Sequence, residues 1–362
     1  MNHGPHLLLI GGWTQTLQKA LDNGFRVSYF GPVQSSPTFD AAILACCAHV
    51  RAVEVDRIGI CLALAQDLHA ADPFIACLSY TERGLETAAV IAAALGVRGM
   101  ALWPVAATRY KDWMRQLLDG CPGLALPWRR VATPEALRAF HREHGPDIIV
   151  KPLSGAGGAG VQRLHSVAEL DAFAEAHAAC WPADLLAEEF VASDDLYSVE
   201  TLTLDGQHHV LGMSFSKMTG YPYACQSFVM VPPPDMPAAL REAVAECTRR
   251  FLGAMRLDWG VAHTEVKIRQ DGRPAIIESQ TRVGGDRIWR MLELTTGFRQ
   301  IDAMLRSLIE PVACRSLPET TRAAAFLGLY PPAGRIQSAC APDFPADLAG
   351  VWNGGWRCAP AT

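Results

Sequence analysis

The sequence predicts an open α/β domain followed by α+β architecture, and three observations carry that expectation. Short apolar runs at 7–10 (LLLI) and 26–30 (RVSYF), each closed by glycine, flank a helical stretch at 14–22 and read as a βαβ start. A further apolar run at 74–78 (FIACL) precedes a helical stretch at 83–95 that ends at Gly96. Between 185 and 211 the runs LLAEEFV and YSVETLTL read as strands, with Asp205-Gly206 as a turn. A helix carrying Leu240, Val244, Cys247, Phe251 and Met255 at helical spacing then follows Asp235 and Pro237.

Between these parts, Pro104 marks the expected boundary. Residues 107–118 read as a helix bearing Lys111, and 134–144 as another that opens on Thr133-Pro134 in the N-cap and N1 manner. Strand 147–151 comes next. The division expected from this is 1–104, 105–190 and 191–362. The proline-rich patches 231–234 and 331–332 read as loops, and Gly11-Gly12 as a tight turn rather than a dinucleotide fingerprint.

Half of the 362 residues are hydrophobic, enough for a substantial core. A net charge of -5 with scattered basic residues gives no footprint for nucleic acid or an anionic membrane, which leaves small molecules as the expected partners. The eleven cysteines, Cys46 and Cys47 adjacent among them, form no CxxC pair and have no His-rich companion cluster, so they point to reduced thiols rather than a zinc site or a disulfide framework. The opening MNHGPHLLLIGG lacks the basic start and long apolar stretch of a signal peptide, and 87–97 is shorter than the ~20 apolar residues a membrane helix needs. A cytoplasmic location is expected. Oligomeric state stays open, a homodimer included.

The most informative stretch is 261-VAHTEVKIRQDGRPAIIESQTRVGGD-286. Asp271-Gly272 is the preferred pair for a two-residue hairpin turn; Gln270 then faces Arg273, Glu265 faces Glu278, and His263 faces Gln280. At about 4 Å two such like charges repel by on the order of 4 kcal/mol at an effective dielectric near 20. A hard divalent cation offsets this, because Mg²⁺ accepts carboxylate and amide oxygens alongside substrate phosphates. On an arbitrary exposed hairpin such a pair is simply solvated. Here Glu278 closes the apolar run AII, and the chain continues directly into Arg282 and Gly284-Gly285. Upstream, 150-VKPLSGAGGAGV-161 places Lys151 at a strand end before Gly155, Gly157, Gly158 and Gly160, whose backbone N–H groups can approach phosphate oxygens unobstructed by Cβ atoms.

These residues resemble the ATP-grasp superfamily over roughly 100–310, and the resemblance implies a fold, a ligand set and a role for each of them. The fold would be an ATP-grasp fold with an N-terminal open α/β domain, a glycine-rich lid subdomain and a C-terminal α+β subdomain. The family's E-x-N-x-R motif appears as 278-ESQTR-282, preceded by a second metal carboxylate in 263-HTE-265. Glu265, Glu278 and Gln280 would hold Mg²⁺, with Mn²⁺ a possible substitute; Gln280 stands where asparagine is usual. Lys111 and Lys151, with Gly155, Gly157 and Gly158, would face the phosphates of ATP. In 187-AEEFV-191, Glu188 would accept from the adenine amine, the Glu189 carbonyl and Val191 amide would read the base edge, and Phe190 would pack nearby. The segment 196-LYSVE-200 resembles E-Y/F-S-V-E but carries Leu196 in place of the ribose-binding acid, with Asp194 or Asp195 as substitutes. Arg282, Gly285 and Asp286 would line the substrate pocket, Asp286 toward an α-ammonium group unless it caps the next helix. Lys217 would join Arg282 at the reaction centre.

The activity implied is an ATP-dependent carboxylate-amine ligase of the amino-acid or dipeptide type, working through an acyl phosphate. A biotin-carboxylase-like enzyme is the alternative within the same chemistry. A catalytically inactive nucleotide-binding module is the alternative of another class.

Overall fold

The computed structural model of the chain describes residues 4–32, 41–155, 157–182, 184–193, 195–219, 226–314 and 322–328. Among these, β1 (His6–Ile10), α1 (Thr14–Asp22), β2 (Arg26–Gly31), α2 (Ala41–Ala45), β3 (His49–Ala52), α3 (Ile58–Ala71), β4 (Ala76–Leu78) and α4 (Leu85–Leu95) form the N-terminal layer. Its strands run parallel in the order β3-β2-β1-β4. Every residue of β1 is buried, as a strand covered on both faces requires. Leu7 and Leu9 pack with Leu17, Leu292 and Ile301, whereas Leu8 and Ile10 pack with Cys61, Ala65 and Ile91.

The helix expected at 107–118 is in fact two, α5 (Leu102–Arg109) and α6 (Lys111–Asp119), separated by the extended backbone of Tyr110. Pro104 lies in the first turn of α5, where its missing N–H has no intrahelical partner to lose. Lys111 therefore opens a helix, and its backbone N–H donates to Leu153 O at 2.9 Å, out of the helix and onto the next sheet.

That sheet comprises β5 (Trp128–Arg130), β6 (Ile148–Pro152), β7 (Gln162–Leu164) and β8 (Leu185–Glu189), with α7 (Pro134–His144) and α8 (Val167–Ala176) between them in sequence. It is antiparallel, in the order β5-β8-β6-β7, and Val131, Leu137, Phe140, Ile148, Val150, Leu170 and Phe173 form its core. Thr133 accepts from the Ala136 N–H and caps α7 as its sequence suggests.

The third part is a six-stranded antiparallel sheet built from β9 (Asp195–Leu204), β10 (Gln207–Met218), β11 (Gln226–Val231), β12 (Gly260–Ile268), β13 (Pro274–Gln280) and β14 (Ala324–Leu327), in the order β13-β12-β9-β10-β11-β14. Helix α9 (Ala238–Ala254) covers one face, where Val244, Phe251 and Leu252 pack on Val199, Met213, Val266 and Ile276. On the other face Leu202, Leu211 and Val261 join the N-terminal core. Helices α10 (Ile288–Thr296) and α11 (Gln300–Arg306) come after β13. Among the described residues no helix is long and apolar enough to cross a membrane.

A buried charge cluster joins α1 to α10 and α11. Lys19 Nζ lies 2.5 Å from Glu293 Oε1 and 2.5 Å from Asp302 Oδ2, and Asn23 donates to Asp302 Oδ1 at 2.9 Å. Burial pushes the Asp302 carboxyl up, but the hydrogen bonds from Lys19 and Asn23 and the charges of Lys19 and Arg299 outweigh it, so its pKa lies below the ordinary 3.8. A depressed folded pKa contributes stability that is present above the unfolded value and is lost as pH falls through the folded one. Asp302→Asn should therefore lower stability at neutral pH by on the order of 1–3 kcal/mol. It should also flatten the acid limb of a stability-versus-pH curve below about pH 4, measured by denaturant titration. An unchanged acid limb would show that this carboxylate does not couple the two parts.

Candidate active site

The hairpin of β12 and β13 brings its predicted residues together. Glu265 pairs with Glu278 and His263 with Gln280, so all four share one face, while Thr264 and Ser279 bond each other at 2.9 Å on the opposite face. The turn differs from expectation. Arg269 faces Arg273 across three residues, and Gly272 adopts φ 81°, a left-handed conformation that glycine tolerates. A bulge at Ile277 then restores the Glu265–Glu278 pairing, because the register steps from Val266–Ile276 to Glu265–Glu278.

The charges on this face are compensated. Lys111 Nζ lies 3.2 Å from Glu278 Oε1, and His263 Nε2 lies 3.6 Å from Glu265 Oε1. His263 Nδ1 is 2.5 Å from Glu200 Oε1, and Glu200 Oε2 accepts from the Gly284 N–H at 3.0 Å. Burial alone would lower the His263 pKa; Glu200, and then Glu265, push it up to about 9. Burial works against the Glu265 carboxylate too, but His263, Arg282 and Lys151 outweigh it and hold its pKa below the usual range. A Cβ on Gly284 would sit 2.5 Å from Glu200 Oε1, so the loop that carries Arg282 rests directly on this pair.

The donor set fits a hard cation. Gln280 Oε1 is buried without a hydrogen-bond partner among the described residues, on the same face as the two glutamates. An unpaired buried amide oxygen is costly unless something binds it. Among the described residues no group of three or more His, Cys, Asp or Glu is placed to hold a metal. Two carboxylates and an amide leave the remaining positions to phosphate and water, as Mg²⁺ sites commonly do.

The two lysines flank the same space. Lys151 on β6 is buried and ion-paired with Glu188 on β8, and burial lowers its pKa despite that partner. Lys111 Nζ donates to Gly155 O at 3.1 Å, tying α6 to the glycine loop. Gly155, Gly157, Gly158 and Gly160 all have positive φ, between 67° and 135°. Glu188 is not an isolated acceptor: Arg115 Nε donates to its Oε2 at 2.8 Å, and Arg115 with Lys151 keeps the carboxyl ionised against the effect of burial. Next along the chain, Glu189 pairs with Arg269 at 3.0 Å, and the Arg163 guanidinium lies 3.8 Å from the Phe190 ring centroid. The Val191 N–H donates to no group among the described residues.

Three predicted contacts need correction. Lys217 is not brought to the metal face: its neighbour Ser216 points there through Gln226 toward Glu265, so strand alternation turns Lys217 to the other side, where it pairs with Asp195. Asp195 is thereby engaged away from this space, and Asp194 lies outside the described residues. Asp286 is not the cap of α10, whose N-cap is Arg287. Asp286 and Arg287 instead turn the chain with φ 43° and 62°, beside Gly285, whose carbonyl accepts from the Ile288 N–H.

Sequence reasoning missed Glu82, Arg109 and Arg115. Arg282 Nε donates to Glu82 Oε2 at 2.9 Å, and Arg109 lies 3.6 Å from the other Glu82 oxygen. Glu82 lies just beyond the carboxyl end of β4. Ligands of open parallel sheets bind at that edge, which was the available signal. Glu200 was visible only as the last letter of LYSVE.

No protein-family model matches the chain. The alanine–anticapsin ligase of Bacillus subtilis (strain 168) is 24% identical over 220 residues, a match spanning 55% of this chain and 45% of that relative, less than half its length. Among solved structures, the L-amino acid ligase from Bacillus licheniformis superposes with a TM-score of 0.72 at 20% identity, covering 86% of this chain and 75% of that one. Carboxyaminoimidazole ribonucleotide synthase from Aspergillus clavatus, complexed with ATP, gives a TM-score of 0.73 at 18% identity, covering 90% and 82%. At these identities the structures establish the fold alone, an ATP-grasp fold, and the ligase from Bacillus subtilis is a distant sequence relative.

Proposed function

We propose that this protein is an ATP-dependent carboxylate-amine ligase that joins small molecules, amino acids foremost, through an acyl phosphate with release of ADP and phosphate. The observation that carries the reading is the shared face of Glu265, Glu278 and the unpartnered Gln280 oxygen, bordered by Lys111 and Lys151 and continuing into Arg282. The names of the similar ligases support the amino-acid class.

In this reading a Mg²⁺ ion held by Glu265, Glu278 and Gln280 supplies neutralising charge for the β- and γ-phosphates. Lys111, Lys151 and the glycine-loop amides bind the rest of the triphosphate, and the Val191 N–H with the Glu189 carbonyl reads adenine. Glu188 serves Lys151 and Arg115 first, since both already hold its carboxylate. Arg282 orients the attacking carboxylate, which must draw the guanidinium from Glu82 or bind beside that pair. The sheet of β5 to β8 with its glycine loop acts as a lid whose closure excludes water from the acyl phosphate, while α6 stays packed on α9 and the six-stranded sheet. The amine then displaces phosphate. A cytoplasmic site of action suits its dependence on ATP.

With ATP, Mg²⁺ and a productive pair of amino acids, ADP release should track amide formation one for one, read by coupled assay and mass spectrometry of the products. Release of AMP and pyrophosphate would instead mean adenylation, and no turnover over a broad panel would favour a binding module. Lys151→Met should sharply weaken ATP binding while leaving the fold intact, measured by calorimetry beside circular dichroism; unchanged affinity would remove Lys151 from the site. Glu265→Gln or Glu278→Gln should each slow turnover by ~10²-fold or more, by analogy with losing one preorganised electrostatic group. The double substitution should cost little beyond either single one, because both disable the same ion. Modest effects that multiply in the double variant would mean two independent roles.

A further inference from the structure

Arg115 is the largest side chain in the protein that is wholly inaccessible to solvent among the described residues. It lies four residues after Lys111, hence on the same side of α6. Its guanidinium spends its donors on two separate sheets. Nε donates to Glu188 Oε2 on β8, while Nη1 donates to Ile276 O at 2.7 Å and Nη2 to Ile277 O at 2.8 Å on β13.

Ile277 is the bulged residue of the hairpin. A bulge takes backbone groups out of the strand ladder, and buried carbonyls left that way need another donor. Arg115 supplies it to the bulged residue and to the one before it. The bulge in turn decides the face on which Glu278 stands. Without it the ladder that pairs Val266 with Ile276 would continue as Glu265 with Ile277, and a one-residue slip sends each later side chain to the opposite face. At its other end the same guanidinium fixes Glu188, which is the ion-pair partner of Lys151.

We propose that Arg115 is a positioning residue that locks the β13 bulge, and so the Glu265–Glu278 pair, in register with the Glu188–Lys151 pair of the nucleotide cleft, a role that rests on the ATP-binding reading above. The guanidinium geometry is what the role demands. A lysine in its place keeps one positive charge for Glu188 but lacks the planar fork that reaches two carbonyls at once. Removing Arg115 alone would strand the buried Glu188 charge and destabilise the fold, whereas neutralising both partners of a buried ion pair is often close to neutral, so structural and positioning effects can be separated.

The test compares the wild type with Arg115→Lys, Arg115→Met and Arg115→Met combined with Glu188→Gln. Each is measured for its melting temperature without ligands and for its ATP dissociation constant by calorimetry, with and without Mg²⁺. Arg115→Lys should stay folded but melt below the wild type, because it leaves at least one buried carbonyl without a donor, and its ATP affinity in Mg²⁺ should fall roughly tenfold or more, the scale of a charge-assisted hydrogen bond. The improvement in ATP affinity on adding Mg²⁺ should largely vanish in all three variants. Removing the Glu188 charge should recover melting temperature without recovering the Mg²⁺ effect. Folded variants that keep both the ATP affinity and its Mg²⁺ dependence would overturn the role while leaving the ligase reading intact. So would failure of all three to fold, which would make Arg115 a purely structural residue. A wild type that binds no adenine nucleotide would overturn the function and this role together.

Discussion

Buried carboxylates constrain this protein more than any other feature. Glu188 and Glu200 are almost wholly enclosed, and Glu265 and Glu278 are about four-fifths so. An ionised carboxylate in such surroundings must find a cation or give up its charge. The chain gives each of them one, Arg115 and Lys151 for Glu188, His263 for Glu200 and Glu265, and Lys111 for Glu278. These partners come from α6, β6 and β12, so satisfying the charges also fixes how the two antiparallel sheets meet. The fold and the site are therefore products of one electrostatic requirement. On the face shared by Glu265 and Glu278, the Gln280 side-chain oxygen is buried without a hydrogen-bond partner among the described residues.

Strand alternation distributes that requirement. On β9 the residues facing away from α9 change along the strand from Leu202, packed in the N-terminal core, to Glu200 and Ser198, buried and polar. The same change runs along β12 from Val261 to His263 and Glu265. One continuous sheet face is thus core at one end and site at the other. The apolar end packs the sheet against the N-terminal α/β layer, while beside the polar end Arg282 pairs with Glu82 of that layer. Rigid packing lies beside the groups whose positions matter, which is how a scaffold preorganises charges at little further cost in conformational entropy.

How much of this was legible in the sequence depends on the range of each signal. Local patterns placed α1, α7, α9 and the Asp205–Gly206 turn, because caps, turn residues and helical periodicity act within a few residues. The Glu265–Glu278 pairing was also legible, although the steps that led to it were not. The turn has three residues rather than two, and the bulge at Ile277 cancels the difference. Alternation of apolar residues cannot reveal a compensated pair of irregularities, because the ends of the ladder look the same with or without them. Residues joined across the chain were not legible at all. Glu82 and Arg282 are 200 positions apart, and Arg115 meets Ile276 and Ile277 more than 160 positions away. Nothing local distinguishes Arg115 in RYKDWMR from a solvated helix arginine. Lys217 failed for the opposite reason: motif order suggested a reaction-centre residue, but the two-residue period of β10 turns it away.

The N-terminal α/β layer borders the polar face through its attachment as well as through Glu82. Lys19 on α1 is held by Glu293 of α10 and Asp302 of α11, two helices that continue directly from the loop bearing Arg282. That loop rests on Glu200 through Gly284 and reaches Glu82 through Arg282. The path from Lys19 to Glu82 is thus closed on both sides, through the parallel sheet in one direction and through α10 and the loop in the other. A closed path of this kind resists relative displacement of its members better than either contact alone, because moving one breaks both. The glycine loop has no such second attachment among the described residues beyond the bond from Lys111 to Gly155. Positions within the polar face are therefore doubly fixed on the Arg282 side and singly fixed on the phosphate-loop side. Under the proposed ligase reading, that asymmetry would let one wall align a substrate while the other moves to admit it.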